Sequence, residues 1–82
     1  MRASAATMRL VQVDGAPVPA GAQAQLGEAA TFPVALDGLL YVEGLKEPTR
    51  VRVRWQGGEC SVAVRRPTGT DPVPDLGTLR CR

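Results

Sequence analysis

Two runs, Thr49-Arg-Val-Arg-Val-Arg-Trp55 and Glu59-Cys-Ser-Val-Ala-Val-Arg65, flank Gln56-Gly57-Gly58 and alternate arginine or small polar residues with valine, cysteine and tryptophan. Side chains on a strand point to opposite faces in turn, so this alternation reads as a hairpin with one face on a core and the other in water. A two-residue turn at Gly57-Gly58 predicts Trp55 opposite Cys60, Val53 opposite Val62 and Val51 opposite Val64 on the core face. The other face then carries Arg54 with Ser61, Arg52 with Ala63 and Arg50 with Arg65. Whatever else the chain does, it must build a sheet around this element.

The rest of the sequence supplies short strands and frequent turns. Residues 1–7 have small side chains and no period, and read as a linker or leading tail, leaving 8–82 as one domain. Residues 8–13 alternate as a strand that Asp14-Gly15, Pro17 and Pro19 bring to an end, and 22–26 form a weaker strand after Gly21. Residues 31–36 and 39–43 flank Asp37-Gly38, a strong hairpin signal. A three-residue loop there pairs Leu36 with Leu40 and Val34 with Val42, a cleaner apolar face than the two-residue alternative. Pro33 lacks a ladder donor, which places its strand at an edge or a bulge. After residues 44–48 and the arginine-rich hairpin, a proline-rich stretch over 67–74 leads to a last strand over 76–81. About seven short strands without a helical period predict an all-β fold, a small antiparallel β-sandwich. Its core is expected from valine, leucine, Phe32, Tyr41 and Trp55.

A domain of 82 residues buries only about two-thirds of the surface its unfolded chain exposes, so extra constraint is valuable. The two cysteines are a free pair, half of a metal site or one disulfide, and the absence of histidine excludes the usual mixed zinc sets. A disulfide is the favoured reading. It would close a loop of about twenty residues and contribute on the order of 3 kcal/mol, and it points to an oxidising compartment. No apolar run approaches the ~20 residues of a membrane helix, so no direct membrane insertion is expected, and residues 1–7 are too short for a signal peptide. Export would then rest on sequence outside this chain.

Ten basic residues against eight acidic ones give a formal charge of +2, too little to imply nucleic-acid binding. Their placement is more telling, because Arg50, Arg52, Arg54, Arg65 and Arg66 crowd onto one hairpin. The plain reading is a solvated face that keeps an exposed strand from pairing with others. The sharper reading is a partner-binding patch of Arg50, Arg52, Arg54 and Arg65 facing an acidic surface, supported by Arg50 opposite Arg65, since like charges across a ladder destabilise it. Nucleic acid fits poorly, with no aromatic residue interleaved on the basic face. Catalysis has a poor inventory: no histidine, two serines, and Asp71 and Asp75 as solvated loop acids. Gly57-Gly58 lacks the lysine and helix start of a phosphate loop, and no calcium-loop spacing occurs. No enzyme activity, metal or cofactor is expected.

Four segments in order, Gly15-Ala-Pro-Val-Pro-Ala-Gly-Ala22, Gly38-Leu-Leu-Tyr-Val-Glu-Gly-Leu45, Trp55-Gln-Gly-Gly-Glu-Cys60 and Leu76-Gly-Thr-Leu-Arg-Cys81, resemble the C-terminal periplasmic domain of outer-membrane ushers of the FimD/PapC type. Ala20 departs from the pattern, which commonly has phenylalanine there. The resemblance implies a disulfide between Cys60 and Cys81 and a small β-sandwich on the periplasmic side of the bacterial outer membrane. It also implies a non-enzymatic module of the chaperone-usher pathway that needs no cofactor. Such a module takes part in holding chaperone:subunit complexes during pilus biogenesis, with the periplasmic chaperone, chaperone:pilus-subunit complexes and other usher domains as partners. Within the signature, Trp55, Tyr41, Gly21, Gly38 and Gly44 read as core and turn residues. The alternative is a structural β-sandwich spacer of a secreted or surface protein, with a nucleic-acid-binding barrel a distant third.

Overall fold

A computed structural model describes residues 5–27, 30–43, 49–64 and 73–82. Among them, alternating buried and exposed side chains organise seven strands: β1 (Ala5–Val11), β2 (Gln23–Leu26), β3 (Ala30–Pro33), β4 (Leu39–Glu43), β5 (Thr49–Trp55), β6 (Gly58–Val64) and β7 (Asp75–Arg80). They form two sheets, ordered β4-β1-β7 and β3-β2-β5-β6. All neighbours are antiparallel except β1 with β7. The core is one cluster in which Ala6, Met8, Leu10, Leu40 and Val42 from the first sheet meet Ala24, Leu26, Val51, Val53 and Val64 from the second. The expected all-β sandwich is the observed fold.

β1 starts at Ala5, ahead of the expected first residue, Met8. Residues 5–7 therefore belong to the sheet and not to a tail. Ala6 pairs with Val42 and is fully buried, and the Thr7 N–H donates to the Pro74 carbonyl at 3.0 Å. Ala6 joins the core cluster between the two sheets, a place its small side chain does not announce in sequence.

The arginine-rich hairpin forms with its two faces as expected, but its register differs by two residues. Trp55 stands opposite Gly58, Arg54 opposite Glu59, Val53 opposite Cys60, Arg52 opposite Ser61, Val51 opposite Val62 and Arg50 opposite Ala63. The turn is Gln56-Gly57, and the indole of Trp55 covers Gly58, where an added Cβ would come within 3.2 Å of the ring. This register gives Arg54 a carboxylate across the ladder and removes the pairing of Arg50 with Arg65. A shift of two keeps every side chain on its face, so alternation in the sequence cannot distinguish the two registers.

Asp37-Gly38 does not close a hairpin. The Leu39 N–H donates to the Leu36 carbonyl and the Ala35 N–H to the Leu39 carbonyl at 2.7 Å, so Leu36 meets Leu39 across the turn as in the two-residue alternative, but β3 then pairs with β2 and β4 with β1 in the other sheet, and the favoured pairing of Leu36 with Leu40 and Val34 with Val42 does not form. A short 3-10 turn, Leu36–Gly38, carries the chain between sheets with Asp37 at φ 61° and Gly38 at φ 77°. A Cβ on Gly38 would collide with the Leu10 carbonyl, so this crossing lies directly against β1. Pro33 does lie on an edge strand. Val34 donates its N–H to Ala22 and accepts at its carbonyl from Gly21, both at 2.8 Å, so position 33 points away from the ladder and proline loses no bond there.

The C-terminal strand carries a bulge. Thr7 pairs with Asp75 but Arg9 with Thr78, and Gly77 at φ 78° takes up the extra residue, its N–H held by the Asp75 carboxylate at 2.8 Å. Beyond β7 the chain changes sheets. The Cys81 N–H donates to Val11 of β1 at 2.7 Å, while Arg82 exchanges two bonds with Ser61 of β6, at 2.6 and 2.9 Å. The Cys60–Cys81 disulfide, with Cα atoms 5.4 Å apart, sits at this crossing.

Two stability outcomes follow. Cys60→Ser should lower unfolding stability by about 3 kcal/mol in denaturant titration, with β7 amides the first to lose hydrogen-exchange protection. Gly38→Ala should cost more than about 2 kcal/mol, whereas Gly27→Ala, at φ 58° in open space, should cost only about 1 kcal/mol.

Candidate functional site

The two outer faces of the sandwich differ in chemistry. On the β3-β2-β5-β6 sheet, the parity that buries Val51 and Val53 exposes Arg50, Arg52 and Arg54 in a row along β5. Gln23 and Gln25 flank the row on β2, opposite Arg54 and Arg52, and Glu59, Ser61 and Ala63 flank it on β6. The Arg50 guanidinium donates to the Ser61 hydroxyl at 3.1 Å, and Arg54 meets Glu59 at 3.5 Å with both side chains more than two-thirds exposed. Among the described residues Arg52 makes no ion pair. Arg52, Arg54, Glu59, Ser61 and Arg82 line a shallow depression of about 360 Å³. Of the four arginines expected to form the patch, three share this face, while Arg65 lies outside the described residues.

β5 is an interior strand, bonded to β2 on one side and β6 on the other. The arginines therefore do not guard an exposed edge, as the plain reading had it. The like-charge pairing offered for the sharper reading is also absent, since Arg50 faces Ala63.

The other outer face carries apolar side chains that the sequence reading placed elsewhere. Tyr41 was expected in the core, but Leu40 and Val42 take the inward positions of β4, so Leu39 and Tyr41 point outward at 45% and 46% exposure. Leu36, at 75% exposure, lies in the turn that precedes them, its carbonyl accepting from the Leu39 N–H. Arg9 and Thr7 on β1 stand beside Leu39 and Tyr41. The signal that could have found this patch is the unbroken apolar run from Leu39 to Val42, whose two parities cannot both face one core.

The Tyr41 hydroxyl donates to the Glu43 carboxylate at 3.0 Å. That bond holds the phenol proton, and with desolvation and the carboxylate's charge it raises the Tyr41 pKa above 10.0. Of the signature glycines, Gly21 takes φ 89° in an exposed turn, Gly38 forms the sheet crossing, and Gly44 lies outside the described residues. Ala20 is exposed in the same turn as Gly21. Trp55 packs against the core cluster at the hairpin tip. Asp75 serves the β7 bulge and Asp71 lies outside the described residues. Among the described residues no group of three or more Cys, Asp or Glu stands close enough to hold a metal ion, and no helix is long and apolar enough to cross a membrane.

Comparison with known proteins gives one answer. The family model of the PapC C-terminal domain matches residues 7–68. The crystal structure of the C-terminal domain of the PapC usher is similar at 26% identity and a TM-score of 0.77, covering 94% of this chain and 96% of that one. The Caf1A usher C-terminal domain shares the fold at 21% identity and a TM-score of 0.76, covering 94% of each chain. No curated protein sequence matches the chain.

Tyr41 is the one tyrosine, so phenolate absorbance reads it alone. Glu43→Gln should lower its titration midpoint, because the substitution removes both the charge and the carboxylate acceptor. The sign for stability follows from a folded pKa raised above the unfolded value. The contribution is fully present below pH 10 and is lost as pH rises through the folded midpoint.

Proposed function

Because the chain belongs to the family of PapC C-terminal domains, which serve chaperone-usher pilus assembly, we propose that it is a non-enzymatic binding module of an outer-membrane usher. It holds chaperone:subunit complexes from the periplasmic side during pilus biogenesis. The observation that carries this reading is the outward-facing pair Leu39 and Tyr41 on β4, with the exposed Leu36 in the turn just before them. A sheet face turned to water loses nothing by being polar, and contiguous exposed apolar groups mark a surface that another molecule covers. In the Caf1A usher C-terminal domain, hydrophobic clusters on the surface are important for F1 antigen assembly, and the patch gives this chain a comparable feature. A structural spacer would share the strands and the disulfide but has no use for such a patch.

Holding a subunit complex requires association and release, not bond chemistry, so the module needs no cofactor. Neighbouring usher domains are further partners for the same kind of surface. Work of this sort suits a domain whose rigidity comes from its sandwich and disulfide, since a preformed surface loses little entropy on docking.

Calorimetric titration of the chain with a chaperone:subunit complex from a chaperone-usher system tests the reading. Leu39→Ser with Tyr41→Ser should weaken binding about tenfold; since both side chains are a little over half buried, the thermal midpoint should fall, and circular dichroism showing the variant folded at the titration temperature separates lost binding from lost fold. No binding by the unaltered chain, or equal binding by the variant, would overturn it.

A further inference from the structure

We infer that the Arg50, Arg52 and Arg54 row, with Arg82 beside it, is a docking site for an extended acidic segment of a partner protein, carrying carboxylates at alternate positions. The inference stands apart from the usher reading, because the row lies on the opposite outer face from Leu39 and Tyr41.

Edge protection does not explain the row, since β5 is bonded on both sides. Local pairing does not explain it either. Gln23 and Gln25 are neutral, Ser61 and Ala63 are neutral, and Glu59 answers Arg54 alone. That ion pair is highly exposed, and water screens it, so an incoming carboxylate can readily take Glu59's place. Arg82 adds its guanidinium at the depression shared with Arg52 and Arg54. Among the described residues, this face carries the guanidinium groups of Arg50, Arg52, Arg54 and Arg82 against one acidic side chain, Glu59.

Geometry selects the form of the ligand. Alternate residues on a strand lie about 6.6 Å apart, so the three arginines leave the backbone at the interval at which an extended chain presents every second side chain, and their long side chains can adjust to it. Each guanidinium fork can take a carboxylate in two parallel bonds. The short side chains of Ser61 and Ala63 leave the row open on one flank, and the amides of Gln23 and Gln25 offer donors and acceptors on the other. No outward aromatic residue is available for stacking bases, and no outward large apolar residue for entering a lipid layer, among the described residues of this sheet.

The test titrates the full 82-residue chain with an N-acetylated alternating Glu-Thr peptide of about twelve residues, followed by amide NMR shifts at low salt. The peptide should shift β5 and β6 resonances and bind more weakly as salt rises. Arg52→Gln with Arg54→Gln should weaken it about tenfold, whereas Arg9→Gln on the other face should leave it unchanged. The Leu39→Ser, Tyr41→Ser variant should bind this peptide like the unaltered chain. Equal affinity in the Arg52, Arg54 variant, shifts confined to other strands, or binding to phosphatidylglycerol vesicles without binding to the peptide would overturn the inference. Equal affinity for a peptide of the same composition with its glutamates in one block would overturn the alternating geometry.

Discussion

The link on which this fold depends is the crossing at Cys81. β7 belongs to one sheet and β6 to the other, and the chain passes between them within two residues. Cys81 still donates to β1, Arg82 already pairs with Ser61, and the disulfide to Cys60 ties the same two elements covalently. Two small sheets held by aliphatic contacts alone would have a modest core. Joining them at one corner limits how far they can slide, and it covers part of the free edge of β6, which would otherwise present unpaired backbone groups.

The second crossing, at the same end of β1 but on its other side, is held differently. There the chain crosses between sheets through the Asp37-Gly38 turn, pressed against the Leu10 carbonyl. One corner depends on a covalent bond and the other on a glycine's freedom to adopt a left-handed conformation. Between them the strands present two rigid outer faces of different character, apolar around Leu39 and Tyr41, cationic along β5. The two faces are separated by the thickness of the sandwich, so a molecule on one does not cover the other.

Much of this was readable in advance where the chemistry is local. The alternation of valine and arginine identified the hairpin and its faces, Pro33 identified an edge, and the usher resemblance paired the cysteines. The errors share a cause. Register within the hairpin is invisible to a period of two, because a shift of two residues preserves every face. Turn chemistry at Asp37-Gly38 reported a reversal but not which strands it would join. Tyr41 reads as core by residue type, yet β4 has one inward side, and Leu40 with Val42 occupies it.

Sequence alone thus determined the all-β class and the split faces of the central hairpin, because those follow from side-chain alternation within single strands. The likeness of its motifs to usher C-terminal domains, also legible there, supplied the cysteine pairing. Tertiary structure decided which strands share a sheet, that β7 runs parallel to β1, that β5 is interior, and that an apolar patch faces outward. Those are relations between segments distant in the chain, set by how two sheets divide one limited core, and no single strand carries them in its own pattern.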